Sequence, residues 1–480
     1  MNYSEALNEY KMFGFFEDIC KIPRGSGNTA AIADYLCDFA KAKKLDYIRD
    51  NADNVIIKKA GSKGCEAIPP VILQGHTDMV CESVAESPLN PETDGVKLIS
   101  DGDFLKADKT TLGADDGAAV AIMLAILDSD EMTHPPIEAV FTSDEEIGLL
   151  GAAAIDCGNL KGKRMINLDS EDEGIFTVSC AGGNRTSCRL PVKRTVFGGT
   201  RFVIRVYGLA GGHSGTEIGK GRGNANIIIG RILNEINRKT NMGIIKVDGG
   251  LRDNVIPTEA YAEIMTENFD EAKKICMETE EVLRHEFGSS EPDFRISLLP
   301  SESTAPPLCP EDCKKVISML LCMPNGVLEY SRDIEGLVQT SLNLGILKTE
   351  ADAVYAKYSV RSSLKSQKKL VSEKLALFME QLGGSTAVSG DYPAWEYRKN
   401  SYLRDLLSEV FIEQYGYEPK IEAIHAGLEC GIFYEKIKDL DCISIGPDIK
   451  DIHTPSERLS ISSAIRLWNL LCGALEKLTN

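Results

Sequence analysis

Basic residues are in short supply: the formal net charge is −19 over 480 residues. A chain without a basic face cannot gather phosphates, so a nucleic-acid partner is not expected. Long apolar runs are missing too. The longest, "AAVAIMLAIL", falls well short of the roughly 20 apolar residues that cross a bilayer. The first stretch, "MNYSEALNEYKMFGFFEDIC", has neither a basic n-region nor an apolar h-region, so the expectation is no signal peptide, no membrane and a cytoplasmic location. None of the 14 cysteines, spread from Cys20 to Cys472, forms a C-x-x-C pair. Several sit in apolar helical patterns such as "SMLLCMP", which points to reduced, buried thiols rather than disulfides or a thiolate zinc site. Any metal must therefore use histidine and carboxylate. No low-complexity segment or flexible linker interrupts the chain.

What is present is a strand and helix alternation. Hydrophobic content of 43% and charged content of 26% are ordinary for a globular chain, and the length suggests about three domain-sized units. "NVIIKKA" and "PPVILQGHTDMV" read as strands, "TTLGADDGAAVAIMLAILDSD" as a turn entering an apolar helix, and "IEAVFTSDEEIGLLGAAAI" as strand, acidic turn and helix. "RMINLDSEDEG" is another strand ending in acid. The expected class is α/β, with an open sheet whose site lies at the carboxyl ends of its strands. After "VSCAGG" the texture becomes strand-helix-strand-strand-helix-strand, followed by much of it again. This predicts an α+β insertion, 187–397, of two ferredoxin-like units, leaving 1–186 and 398–480 as the first domain. The α/β texture returns with "KIEAIHAGLECGIF" and "LDCISIGPDIKDIHTPSERLS".

The strand-end turns carry the chemistry. In "VILQGHTDMV", alternation puts His76 and Asp78 on one face, where a carboxylate can fix an imidazole's tautomer. Asp115 and Asp116, Glu145 and Glu146, Asp169 and His453 lie in the other turns, at the same sheet edge. Gathering so many carboxylates costs several kcal/mol per ion, about what cations must offset. One imidazole and one carboxylate for each of two ions, with a shared carboxylate between them, make a co-catalytic zinc pair. One glutamate of "DEE" is then free to act as a general base.

Eight segments, "GHTDMV", "LGADDGAAVA", "TSDEEIGLLGA", "NLDSE", "GGHSG", "NVIP", "HAGLECG" and "IHTPSE", together resemble the zinc aminoacyl-histidine dipeptidases. These carnosinase-like cytosolic enzymes belong to a co-catalytic zinc family of aminoacylases, carboxypeptidases and dipeptidases. The resemblance spans nearly the whole chain. It implies that Asp115 bridges two zinc ions, with His76 and Asp169 completing one and Glu146 and His453 the other. Manganese or cobalt could substitute. Asp78 would orient His76, and Glu145 would take a proton from the attacking water and hand it to the leaving amine. The peptide bond after Asp115 would be cis. His213 in the inserted domain would donate to the oxyanion, while Asn254 and Arg361 would hold the substrate backbone and its free carboxylate. His134, His285 and His425 receive no catalytic role, although the His425 loop could touch substrate. The expected substrate is a small peptide, with Xaa-His dipeptides favoured. The alternatives are a deacylase or carboxypeptidase of the same family, or a peptide-binding relative without catalysis. Asp169 favours a dipeptidase or aminopeptidase, and Glu145 favours an enzyme. Because the inserted pattern is doubled, any homodimer is expected not to be required to complete the site.

Overall fold

The computed structural model describes residues 3–480. They divide into two compact units, one holding the residues up to Ser179 with Tyr397–Ala423 and Leu428–Asn480, the other Cys180–Glu396 with Ile424–Gly427.

The first unit is built on an eight-stranded sheet. Its middle strands, Ile137–Thr142, Val71–His76, Arg164–Asn167 and Asp441–Ser444, run parallel in that order. Val71–His76 and Ile137–Thr142 are buried along their whole length, as the apolar runs require when both faces of a parallel sheet are covered. Antiparallel strands Val55–Lys59 and Asp46–Arg49 extend one edge. The helix Ala114–Asp128 is apolar on nearly every side and almost wholly buried. It comes so close to the strand that a Cβ on Gly75 would stand 2.5 Å from Asp116 Oδ2 and 2.7 Å from Ala119 Cβ. A small four-stranded sheet includes Ile449–Lys450 and Arg458–Ser460, and the turn between these two strands carries His453.

The second unit is one nine-stranded sheet with helices packed against it. Strands Thr200–Tyr207, Met242–Gly249, Ala260–Thr266 and Arg295–Pro300, with helices Ala225–Lys239 and Phe269–Phe287, form a first β-α-β-β-α-β half. Its first strand lies between the fourth and third, and the second lies outside the third. Strands Gly182–Pro191, Val338–Thr349, Ala353–Ser362 and Ser385–Tyr392, with helices Pro310–Cys322 and Lys365–Gln381, repeat that order. The halves are nested rather than consecutive. The second half's first strand, Gly182–Pro191, precedes the entire first half in sequence. A single apolar cluster runs through both, from Ile204 and Ile229 to Leu320, Leu344 and Leu375. The boundary expected at Ser187 falls inside Gly182–Pro191, which pairs along both edges within this unit.

No disulfide joins any of the 14 cysteines. Among the described residues no helix is long and apolar enough to cross a membrane.

Candidate active site

In the first unit, strand ends and the loops that follow them deliver the acidic residues and two imidazoles to one place. Val71–His76 ends at the imidazole itself. The His76 ring has Nδ1 3.1 Å from the Asp78 carbonyl oxygen and 3.4 Å from the Asp78 carboxylate. This aims Nε2 at Asp115 Oδ1, 3.0 Å away, and Asp169 Oδ1, 3.3 Å away. The other oxygen of Asp115 lies 3.1 Å from His453 Nε2, and Glu146 Oε1 lies 2.9 Å from the same nitrogen. Asp115 thus faces one imidazole with each carboxylate oxygen.

The Asp115–Asp116 peptide bond is cis, and His453 and Asp144 adopt left-handed φ values of 59° and 50°. Non-glycine residues persist there only where their surroundings enforce it. Several buried groups do so. Asp78 accepts from Ser26 Oγ at 2.7 Å and from the backbone N–H groups of Glu145 and Glu146 at 2.9 and 3.3 Å, tying the His76 loop to the Glu145 turn. The Asp116 carboxylate accepts from the His76 N–H at 3.1 Å. Arg24 donates to the carbonyls of Thr77, Asp78 and Gly113. Glu457 accepts from four consecutive backbone N–H groups, Leu112 to Asp115, at 2.8, 2.9, 2.8 and 3.3 Å. The sequence reading assigned no role to Arg24, Asp116 or Glu457, although Glu457 ends the quoted "IHTPSE".

Electrostatics follow from burial and crowding. Burial pushes the Asp115 carboxyl up, but hydrogen bonds from His453 and His76 hold it well below the usual range. Burial raises Asp169 to about 6 and drives Glu145 well above its ordinary value. Hydrogen bonds to Asp115 and Glu146 raise His453 to about 10. Burial opposes protonation of His76, yet the charge of Asp169 and the Asp115 hydrogen bond outweigh it and raise that ring well above its ordinary value. Glu171, with no expected role, is pushed up to about 7 by burial and by Asp115 and Asp169. Among the described residues no lysine or arginine forms an ion pair with Asp115, Glu145, Glu146 or Asp169. The cluster therefore calls for cations that the side chains do not supply. Its donors also fit divalent metal: Asp115, Glu146 and His453 offer ligand atoms within 4.8 Å of one another, as do His76, Asp116 and Asp169.

The second unit gathers a separate polar cluster. His213 and Val255 pair across a two-residue ladder, and the Asn254 carbonyl accepts from the Ser214 N–H at 2.9 Å. A Cβ on Gly215 would meet His213 Cε1 at 3.0 Å, Arg361 Cζ at 3.2 Å and the His425 carbonyl oxygen at 2.7 Å. Arg361, 8% exposed, donates to the Tyr392 hydroxyl at 3.1 Å, and among the described residues its Nε has no hydrogen-bond partner. His425, 6% exposed, meets Ser341 Oγ at 2.7 Å. Burial and the Arg361 charge lower its pKa to about 3. Burial, with Arg361 second, also lowers His213. His213 and Arg361 thus come together with His425 and Tyr392, which the sequence reading left without a role.

Imidazoles paired with carboxylates around one shared aspartate form a donor set suited to metal-assisted hydrolysis. The chain belongs to peptidase family M20/M25/M40, whose model matches residues 72–477. It is 33% identical over 482 residues to the cytosol non-specific dipeptidase of Escherichia coli (strain K12), covering 100% of this chain and 99% of the relative. The crystal structure of aminoacylhistidine dipeptidase from Vibrio alginolyticus superposes with a TM-score of 0.93 at 35% identity, covering 97% of this chain and 96% of that one. Aminopeptidase PepT from Bacillus cereus shares the fold, with a TM-score of 0.56 at 15% identity over 98% of both chains.

Proposed function

We propose that this chain is a metallo-dipeptidase that hydrolyses dipeptides, with Xaa-His substrates favoured. The observation that carries this reading is Asp115 offering one oxygen toward His76 and the other toward His453, with Asp169 and Glu146 alongside. In this proposal His76, Asp169, Glu146, His453 and the shared Asp115 hold two divalent cations, taken as zinc, with manganese or cobalt as substitutes. When bound, such ions offset the carboxylate charge and lower the pKa of water toward roughly 7.

The chain's own residues do the rest. Glu145 takes the proton of the attacking water and returns it to the leaving amine, a contribution typically worth about a hundred- to ten-thousand-fold. Asp78 holds the His76 ring and also accepts the Glu145 and Glu146 N–H groups, so the base keeps a fixed distance from the ligands. Arg361 takes the substrate's free carboxylate through a two-pronged contact. Its burial without a carboxylate partner supports that role. His213 donates to the developing oxyanion and Asn254 holds the substrate backbone. The relatives' names differ in breadth, one non-specific and one aminoacylhistidine. The first also carries the word cytosol, which agrees with the proposed cytoplasmic location.

The test strips purified protein with a chelator and reloads it with zinc, manganese or cobalt in turn. Each form is assayed against α-dipeptides, β-alanyl-histidine and N-acyl amino acids. Hydrolysis of dipeptides by loaded protein, lost on stripping, is expected. Undiminished activity after stripping, or N-acyl amino acids preferred over dipeptides, would sink the proposal. Any homodimer is proposed not to complete the site, so a mixture of His213→Ala and Glu145→Gln subunits should stay as inactive as its parents.

A further inference from the structure

Three strands that lead into the ligand cluster carry a buried polar residue just before the cluster. Gln74 precedes His76 by two positions, Asn167 precedes Asp169 by two, and Thr142 closes the strand that leads to Glu145 and Glu146. These side chains meet below the site. Asn167 Nδ2 donates to Gln74 Oε1 at 2.7 Å, and Gln74 Nε2 donates to Glu429 Oε2 at 2.6 Å. The Thr142 hydroxyl donates to that same oxygen at 2.7 Å. Glu429 is 0% exposed and opens the helix Glu429–Lys436. One carboxylate oxygen therefore fastens strand ends that bear the expected ligands and the expected base.

Packing alone does not call for a carboxylate there. A glutamine oxygen would accept both hydrogen bonds without burying an ionisable group, which is costly when unpaired. Among the described residues Glu429 Oε1 has no hydrogen-bond partner. What glutamine lacks is a charge: burial raises the Glu429 carboxyl to about 7, while the His76 ring and the hydrogen bonds from Thr142 and Gln74 favour its ionised form. The nearby Asp169 opposes it, and a cation held by His76 and Asp169 would reverse that opposition.

We propose that Glu429 is a positioning residue for the metal centre. It locks the strand ends beneath His76, Asp169 and the Glu145–Glu146 turn, and it adds buried negative charge that strengthens cation binding above. This rests on the ligand assignment proposed for His76, Asp115, Glu146, Asp169 and His453.

The experiment measures zinc affinity of the metal-free protein by competition with a chromophoric chelator, alongside its thermal unfolding without metal. Glu429→Gln should melt with or above the wild type and bind zinc about 10- to 100-fold more weakly, the usual effect of groups that hold ligands in place. Thr142→Val, which breaks one of the hydrogen bonds, should weaken zinc in the same direction by less. Glu146→Ala serves as the control for the ligand reading and should lose one of two bound ions. If Glu146→Ala loses its ion while Glu429→Gln binds zinc like the wild type, the inference is overturned and the ligand reading stands. Lower melting of Glu429→Gln with unchanged zinc affinity overturns it equally, because the role is then structural. If Glu146→Ala keeps both ions, the ligand reading fails and takes this inference with it. Should Glu429→Gln not fold, Thr142→Val decides by the same criterion.

Discussion

Replacing Glu457 by glutamine tests how the shared aspartate is held. Each oxygen of this carboxylate accepts two N–H groups: Oε2 takes Leu112 and Gly113, and Oε1 takes Ala114 and Asp115. Glu457 is 2% exposed, so water cannot easily substitute for it. Burial raises its carboxyl above the ordinary value against the pull of those donors, which leaves the hydrogen bonds as its main compensation. Glutamine is not conservative here. Either orientation of the amide turns an NH2 toward two backbone N–H groups, losing one acceptor oxygen and the two hydrogen bonds it took, and adding donor–donor repulsion. At roughly 1–3 kcal/mol for each buried donor left unsatisfied, the cost is about 3 kcal/mol. For a cooperative unit of roughly 150–250 residues that corresponds to a fall in melting temperature of about 6–12 °C. The last donor in the row is the Asp115 N–H itself, so metal content and turnover should fall with stability. Thermal unfolding by circular dichroism, with metal analysis of the folded fraction, measures both. A Glu457→Gln protein that melts within about 2 °C of the wild type and retains its metal would refute the reasoning, since that shift is below 1 kcal/mol on the same scale.

Other expectations follow from the two units. Glu145→Gln keeps size and hydrogen bonding but removes the proposed base; turnover should drop more than about a hundred-fold while metal content is unchanged, and a loss within tenfold would remove Glu145 from the role. The Tyr392 ring is pinned between two glycines, where added Cβ atoms would stand 2.5 Å from its oxygen at Gly183 and 2.7 Å from its ring at Gly427. Tyr392→Phe, which frees Arg361, should therefore raise KM more than it lowers kcat, and Gly427→Ala should do the same by displacing the ring. A change confined to kcat would contradict the carboxylate-binding role of Arg361. His425 gives a pH test. With its pKa lowered to about 3 in the fold by burial and Arg361, against about 6.5 when unfolded, the unfolded chain binds the extra proton between those values. Its contribution is complete above about pH 6.5 and is lost as pH falls toward 3. Denaturation of His425→Gln across that window should show a shallower acid slope, and an unchanged slope would mean that His425 is not held neutral.

What could be read from the sequence and what could not divide along physical lines. The turns after Val71–His76 and Ile137–Thr142 were legible because strand, turn and acidic residue are neighbours in the chain, and a buried parallel strand reads as an unbroken apolar run. The alternation argument for His76 and Asp78 does not describe how the two residues meet. The strand ends at His76, and Asp78 reaches the ring from beyond it, with its carbonyl as well as its carboxylate. The nesting of the two halves was invisible for a related reason. Period-two alternation announces a strand but not its partner, and Gly182–Pro191 pairs with Ala353–Ser362 across the whole first half. A consecutive reading therefore put the boundary inside a strand.

The supporting residues were hidden because each acts alone and at long range. Glu457 sits in a recognised motif, yet nothing local says that its partners are the backbone of residues 112–115. Glu429 and His425 share one quoted segment, "HAGLECG", and were read as one continuous return to the α/β texture. The fold separates them: Glu429 turns inward beneath His76, while Ile424–Gly427 joins the other unit, where His425 meets Ser341. One quoted segment thus contributes Glu429 to the first unit and His425 to the second. Chemistry carried by residue type was legible, but chemistry carried by which buried atom lacks a partner required the three-dimensional arrangement. Arg361 Nε and Glu429 Oε1 are both such atoms. That is why the first supports a substrate contact and the second supports a role toward cations; the family resemblance had already picked out Arg361, whereas Glu429 carried no expected role.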